Sequence, residues 1–167
     1  MVAALEIRAD CSRCAALCCI AYPSDDMPGF SARKGAGEPC PKLGADGLCT
    51  IYESRAEQGF AGCIRFECFG AGQHVVQHLF DGRDWRDDPA LLEPMVETFL
   101  EMRPVADLNF LASRAIDIAE ESDLKRAAIA LAERLQSVAA SRRNLGDRAE
   151  ISTIEHELRA LYQRLKR

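Results

Sequence analysis

The chain is organised around the stretch Cys11-Ser12-Arg13-Cys14-Ala15-Ala16-Leu17-Cys18-Cys19, which places four thiols within nine residues. The other four cysteines of the protein are Cys40, Cys49, Cys63 and Cys68. The 99 residues that follow contain none. A hydrophobic core has no need of a C-x2-C-x3-C-C array, whereas thiolates a few residues apart can converge on one soft metal ion. The array therefore predicts a thiolate-bound metal or iron–sulfur centre in the N-terminal part of the chain.

Composition excludes several classes of protein. The net charge of −5 argues against a general nucleic-acid binder. No run of about 18 apolar residues is present, so we expect no membrane span. The N-terminus lacks a charged segment followed by a long apolar run, so we predict no signal peptide and a cytoplasmic location. Thiols stay reduced in that compartment, which makes metal binding a better interpretation of the eight cysteines than a disulfide framework.

The predicted fold is mainly α, with a small irregular cysteine-rich metal-binding module over residues 1–87 and an antiparallel helical bundle over residues 88–167. Residues 1–10 are predicted to be a short strand or arm, and the many Gly and Pro residues of 22–39 predict an irregular loop. Asp46-Gly47 between short apolar runs indicates a hairpin that brings Cys40 and Cys49 close together. Residues 63–68 alternate like a strand, although their length also permits a turn.

The second half of the chain shows helix signals and helical periodicity. Asp87 or Asp88 before Pro89 is typical of a helix start, and Pro104 is expected to break or kink that helix. We predict further helices over 105–118, from a Ser122 cap, and from Asp147. The last helix has apolar residues in alternating steps of three and four, at Ile151, Ile154, Leu158, Leu161 and Leu165. This seam closes the monomer's own bundle or forms a homodimer.

The cysteine block resembles the cysteine-cluster family described as a zinc- or iron-chelating domain. The elements that carry the resemblance are Cys11, Cys14 and Cys18-Cys19, then Cys40-Pro41-Lys42-Leu43, then Cys49-Thr50-Ile51-Tyr52-Glu53-Ser54-Arg55, then Cys63. This chain departs from the family pattern at three points. One more residue separates Cys14 from Cys18, Lys42 replaces an aromatic residue, and no proline follows Arg55.

The resemblance implies that some or all of the eight cysteines bind zinc or iron. Flagellin lysine N-methylases carry the same type of array and look like iron–sulfur proteins, so a [4Fe–4S] cluster stands beside zinc. The C-x2-C spacing lets Cys11 and Cys14 reach one ion, and the family pattern favours Cys63 as its fourth ligand. Because adjacent side chains are expected to diverge, one of Cys18 and Cys19 should lie outside this first site. We expect Cys40 and Cys49 to act together in a second site, with Cys19 or Cys68.

Three functions remain open at this point. The first is a metal-binding protein, the second an enzyme that uses the centre for redox or methyl-transfer chemistry, and the third a metal chaperone or sensor. No catalytic triad or phosphate-binding loop is present, and the protein partner is unknown. His74 and His78 are spaced to share a metal on a helix, although a solvated or capped helix face is the preferred interpretation. Trp85 is predicted to pack between the cysteine block and the bundle.

Overall fold

The computed structural model describes residues 5–24 and 28–166, and within them the fold is helical, as predicted. The elements, in chain order, are a 3-10 helix (Cys11–Arg13), α1 (Leu17–Ala21), α2 (Ala61–Arg65), α3 (Ala71–His74), a π-helical segment (Val75–Leu79), a second 3-10 helix (Pro89–Leu91), α4 (Leu92–Ile118), α5 (Ser122–Ala139), α6 (Arg142–Leu145) and α7 (Arg148–Leu165). These residues contain no β-strand, only one isolated antiparallel bridge.

The second half of the chain is the predicted helical bundle, built around α4. Apolar residues of α5 recur in steps of four and three and are buried: Leu124, Ala128, Leu131, Leu135 and Val138. Three residues link α4 to α5, so the two packed helices run antiparallel. In α7, Ile154, Leu158 and Leu161 are buried within the monomer. Much of the predicted seam is therefore covered by the chain's own bundle.

The prediction that Pro104 ends a helix is wrong, because α4 is a single helix of 27 residues that contains it. Proline removes one backbone hydrogen bond and crowds the carbonyl of the residue four positions earlier. Pro104 is exposed, and so is Leu100, the residue whose carbonyl loses its partner. Water can bind that carbonyl, while Met102, Val105 and Ala106 on the opposite side stay in the core. The apolar face thus keeps the helix continuous.

Helix starts follow the predicted caps at two of three positions. The carboxylate of Asp88 accepts a hydrogen bond from the backbone N–H of Ala90, with Pro89 as the first helical residue. Asp147 caps α7 by accepting from the backbone N–H of Glu150 at 3.0 Å. Ser122 is the first residue of α5 rather than its cap, and no side chain caps that helix. Asp123 in its first turn complements the helix dipole instead.

The cysteine-bearing part of the chain is irregular, as predicted. Residues 5–10 form no strand, and residues 1–4 of the predicted N-terminal arm lie outside the described residues. The strand-like alternation over 63–68 does not correspond to a strand, because residues 61–65 form α2. The N–H of Cys63 donates to the carbonyl of Phe60 at 3.0 Å, which gives this segment local helical hydrogen bonds.

One hydrophobic core joins the two predicted units. It contains Ala15, Leu17 and Ala21 of the cysteine block together with buried residues of α4, α5 and α7. Phe99 of α4 lies at the junction, with its ring edge-on to Tyr22 at 6.0 Å between centroids. The cysteine block is thus packed on α4. Over the described residues, no helix has the length and apolarity needed to cross a bilayer.

Candidate metal centre

Six of the eight cysteines face one cavity of about 300 Å³. Those six are Cys11, Cys14, Cys18, Cys19, Cys49 and Cys68. Leu48, Tyr52 and Phe99 are among the other residues that line it. All eight cysteines are free thiols. The fold therefore gathers cysteines that are as many as 57 positions apart in the sequence around one volume.

Side chains from the start of the helical half hold the backbone of the first cysteine array. The N–H of Asp10 donates to Oε1 of Gln73 at 2.5 Å, and Nε2 of Gln77 donates to the carbonyl of Arg13 at 2.9 Å. Trp85 donates its indole N–H to the carbonyl of Ala15 at 2.8 Å, and its ring packs against the core. The predicted position of Trp85 between the two parts is confirmed. These bonds attach the array to the bundle without using a thiol.

A left-handed residue turns the chain between Cys14 and Cys18. Ala16 has a φ of 55° and precedes α1, which carries Cys18 and Cys19. Burial raises the pKa of the Cys14 thiol to about 12, although the backbone N–H groups of Leu17 and Ala16 act against this shift. Such N–H groups stabilise a thiolate, and hydrogen bonds to sulfur tune the metal centres that thiolates bind.

Cys18 and Cys19 converge, contrary to the expectation that adjacent side chains diverge. Their sulfurs are 4.0 Å apart, and both residues line the cavity. The contact with Cys18 lowers the pKa of Cys19 to about 7, despite burial, and the positive charges of Lys34 and Arg55 contribute. The same contact raises the pKa of Cys18, and burial adds to this effect. Cys19 is therefore the thiol of this pair that ionises first.

The predicted hairpin over residues 40–50 is present and places Cys40 and Cys49 beside Cys19. The N–H of Cys40 donates to the carbonyl of Cys19 at 3.0 Å. Across the hairpin, Leu43 forms an antiparallel bridge with Cys49, and the N–H of Thr50 donates to the carbonyl of Lys42 at 2.9 Å. The backbone N–H of Lys42 lies 3.5 Å from Sγ of Cys40. Main-chain bonds thus determine the position of both thiols.

Two cations near the thiols were not found by sequence reasoning. Arg55 stacks over the Tyr52 ring at 3.8 Å, and its Nε donates to the Tyr52 carbonyl at 2.6 Å. Its charge lowers the pKa of Cys11 and Cys63, opposing the larger effect of burial. Lys34 is buried and donates to the carbonyls of Ile20 and Tyr22. The position of Arg55 in the Cys-x-Ile-Tyr-Glu-x-Arg segment was a usable signal, whereas Lys34 had none.

The donor chemistry fits a soft metal, although the thiols are not closed around one ion. Within residues 5–24 and 28–166, no three His, Cys, Asp or Glu side chains are grouped closely enough to hold a metal ion. Zinc binds thiolate sulfur at about 2.3 Å, so a zinc site here requires cysteine side chains to rotate inward. A larger inorganic cluster requires less movement, because its own sulfides and irons occupy space between the protein sulfurs.

His74 and His78 lie outside the cysteine cavity. His74 is buried, and its Nε2 is 2.9 Å from the carbonyl of Ala139, so this nitrogen carries the proton and donates it. The centroids of the His74 and His78 imidazole rings are 5.0 Å apart. Burial lowers the pKa of His74, and charge on His78 acts in the same direction. His74 therefore joins α3 to the end of α5, a structural role consistent with the preferred interpretation.

Comparisons with known proteins add one relative. No family model matches the chain and no solved structure matches it, so the resemblance to the cysteine-cluster family stays a prediction. The chain is similar to the uncharacterized protein YybG of Bacillus subtilis strain 168, with 36% identity over 113 residues. Those residues are 68% of this chain and 40% of the Bacillus protein. The chain thus spans less than half of the length of this relative. The function proposed below is therefore based on the geometry of the thiols.

Proposed function

We propose that the protein binds a metal centre through its N-terminal thiolates and that an iron–sulfur cluster is the preferred occupant. The observation that carries this proposal is the cavity of about 300 Å³ with six free thiols in its wall. A water molecule in the liquid takes up about 30 Å³, so the volume corresponds to roughly ten waters. A single zinc ion with its four sulfurs in contact leaves no such space.

The surroundings of the thiols support this proposal. Thiolate sulfur is the soft donor that zinc, copper(I) and iron–sulfur clusters prefer. Backbone N–H groups lie near Sγ of Cys14 and of Cys40, and the charge of Arg55 faces several thiols. Each of these groups offsets part of the negative charge that several thiolates bring to one site. Neutral thiols that bind no metal would carry no such charge and would not need cationic or N–H partners.

Anaerobic purification followed by iron, sulfide and zinc analysis tests the proposal. We expect a coloured protein with a visible charge-transfer band and with iron and sulfide in equal amounts. The comparison variant is Cys14→Ser/Cys18→Ser, which removes two thiols from the cavity wall, and circular dichroism checks that its helices are retained. Zinc in place of iron would exclude the cluster and keep the thiolate site. A folded wild-type protein that takes up neither metal would contradict the proposal.

A further inference from the structure

We infer that the eight thiols form two sets of four, and that each set takes one soft metal ion or cluster. Set A consists of Cys11, Cys14, Cys18 and Cys68, and set B of Cys19, Cys40, Cys49 and Cys63. This inference rests on the proposed metal-binding function and assigns its ligands. It exchanges Cys63 and Cys68 relative to the assignment that the family pattern suggested. The reason is that the tertiary fold brings Cys68, rather than Cys63, to the first array.

Set A is assembled on the first turn of α3. A Cβ added to Gly72 would lie 2.5 Å from Sγ of Cys14, so this sulfur rests directly on the α3 backbone. Cys68 is four residues before Gly72, and its carbonyl accepts from the N–H of Ala71 at 3.0 Å. Gln73, the next residue of α3, binds the N–H of Asp10 and so holds the 3-10 helix that carries Cys11. All four thiols of set A line the cavity, and Cys19 and Cys49 of set B line it as well, whereas Cys40 and Cys63 do not.

Set B is assembled on the hairpin and on Arg55. The backbone bond from Cys40 to Cys19 and the Leu43–Cys49 bridge bring three thiols of this set together. Arg55 connects Cys63, the fourth thiol, to the segment that follows Cys49. Its guanidinium donates to the carbonyl of Tyr52 at 2.6 Å and to that of Cys63 at 3.5 Å.

The two sets meet at the Cys18–Cys19 peptide unit. The 4.0 Å between the two sulfurs is short enough for neighbouring centres to influence each other. The adjacent cysteines thus divide between two sites. In this arrangement the Cys18-Cys19 dipeptide contributes one ligand to each of two sites, whereas a single four-thiolate site would not require adjacent cysteines.

Zinc titration of the metal-free wild-type chain and of three double variants tests the division. The readout is the number of zinc equivalents, counted by native mass spectrometry, that withstand a competing chelator. We expect two for the wild type, one for Cys14→Ser/Cys68→Ser and one for Cys49→Ser/Cys63→Ser. Cys14→Ser/Cys63→Ser removes one thiol from each set and should retain none. One equivalent for Cys14→Ser/Cys63→Ser and none for Cys14→Ser/Cys68→Ser would overturn the division.

A measurement on the wild type covers the case in which a variant fails to fold. Alkylation of the singly loaded chain, followed by peptide mapping of molecules with one zinc and four modified cysteines, identifies the protected thiols. Protection of all four members of one set is the expected result, and mixed protection contradicts the division. Loss of all zinc in every variant would indicate one shared site, which overturns the division but keeps the proposed function. A wild type that binds no zinc, iron or cluster would overturn both.

Discussion

The cysteine-bearing part and the helical part of the molecule differ in helix length, in apolar burial and in thiol content. In residues 5–68 the helices are three to five residues long, whereas α4, α5 and α7 have 27, 18 and 18 residues. Among the described residues, six buried apolar residues lie in the first part and 23 in residues 71–166. All eight thiols lie in the first part. The described residues thus concentrate apolar burial in one part, and the chain concentrates its thiols in the other.

On the proposed function, we expect a metal centre to add order to the cysteine-bearing part. Among the described residues of this part, the large apolar side chains that are buried are Leu17, Ile20 and Phe60, and burying each contributes about 1.5–3 kcal/mol. Ordering the backbone costs about 1–2 kcal/mol per residue. Contacts with α4 and, under the proposal, ligation of a metal centre add to what these side chains contribute.

Metal removal should separate the two parts most strongly. A structural thiolate centre contributes about 10–16 kcal/mol of binding free energy, all of it to the part that holds the ligands. We expect a strong chelator to accelerate proteolysis before about residue 70 by at least about tenfold, since about 1.4 kcal/mol of lost local stability gives that factor. Limited proteolysis with mass mapping measures this, with residues 92–165 remaining protected. Equal sensitisation of both parts would contradict the comparison.

Phe99→Ala should reduce both the stability of the bundle and the affinity for metal, because the Phe99 ring contacts both parts of the molecule. Its fully buried ring packs in the core, meets Tyr22 and lines the cavity. We expect the free energy of unfolding to fall by about 3–5 kcal/mol, with metal affinity reduced as well. Leu158→Ala is the matched control: it should cost about 2–5 kcal/mol in the bundle and leave the metal stoichiometry unchanged. Denaturant unfolding and metal analysis of both variants would show whether the cavity depends on α4.

Gly72→Ala should weaken metal binding without loss of helix. The added methyl group would lie 2.5 Å from Sγ of Cys14, so this sulfur must move. Overpacking of this kind costs about 1–3 kcal/mol, which corresponds to a loss of metal affinity of roughly fivefold to a hundredfold. Competition titration measures the affinity and circular dichroism the helix. Gly146→Ala is the control, since its nearest contact is the Arg143 carbonyl at 3.4 Å, and unchanged affinity in both variants would argue against Cys14 as a ligand.

The smallest expected effect is a pH dependence confined to the helical part. Burial lowers the pKa of His74 below its ordinary value of 6.5, so the unfolded chain binds a proton more readily than the folded one. Stability therefore falls as the pH drops below about 6.5. His74→Gln should flatten this slope in denaturant unfolding, while the exposed His156→Gln control should retain it. A slope unchanged by His74→Gln would contradict the assignment.

The helical part could be predicted closely because its signals are local. Asp88-Pro89 and Asp147 mark helix starts, and the apolar steps in α5 and α7 mark the buried faces. The prediction of a helix break at Pro104 failed because the effect of a proline depends on which face of the helix it occupies. Which face is exposed is decided by the packing of the bundle. The alternation over residues 63–68 suggested a strand or a turn, and part of it lies in helix α2, because six residues are too few to distinguish a short helix from a strand.

The candidate site could be predicted as a set of residues but not as an arrangement. Eight clustered thiols identify its members, and the Asp46-Gly47 turn predicts the hairpin that joins two of them. Cys68 and Cys14 line the same cavity because α3 packs against the first array at Gly72, which no spacing in the sequence encodes. The buried Lys34 is placed by carbonyl groups of Ile20 and Tyr22, and these become acceptors only at the end of α1.

The bond from Trp85 to Ala15 has a practical consequence for following the protein in solution. Trp85 is the single tryptophan of the chain, and its indole is held one residue away from Cys14. Its fluorescence therefore comes from one known position beside the cysteine array, so no dye or added label is needed. Detachment of the array exposes the indole and shifts its emission, whereas fraying at the far end of α7 leaves it unchanged. Trp85 is thus a built-in fluorescent reporter of the cysteine-rich region.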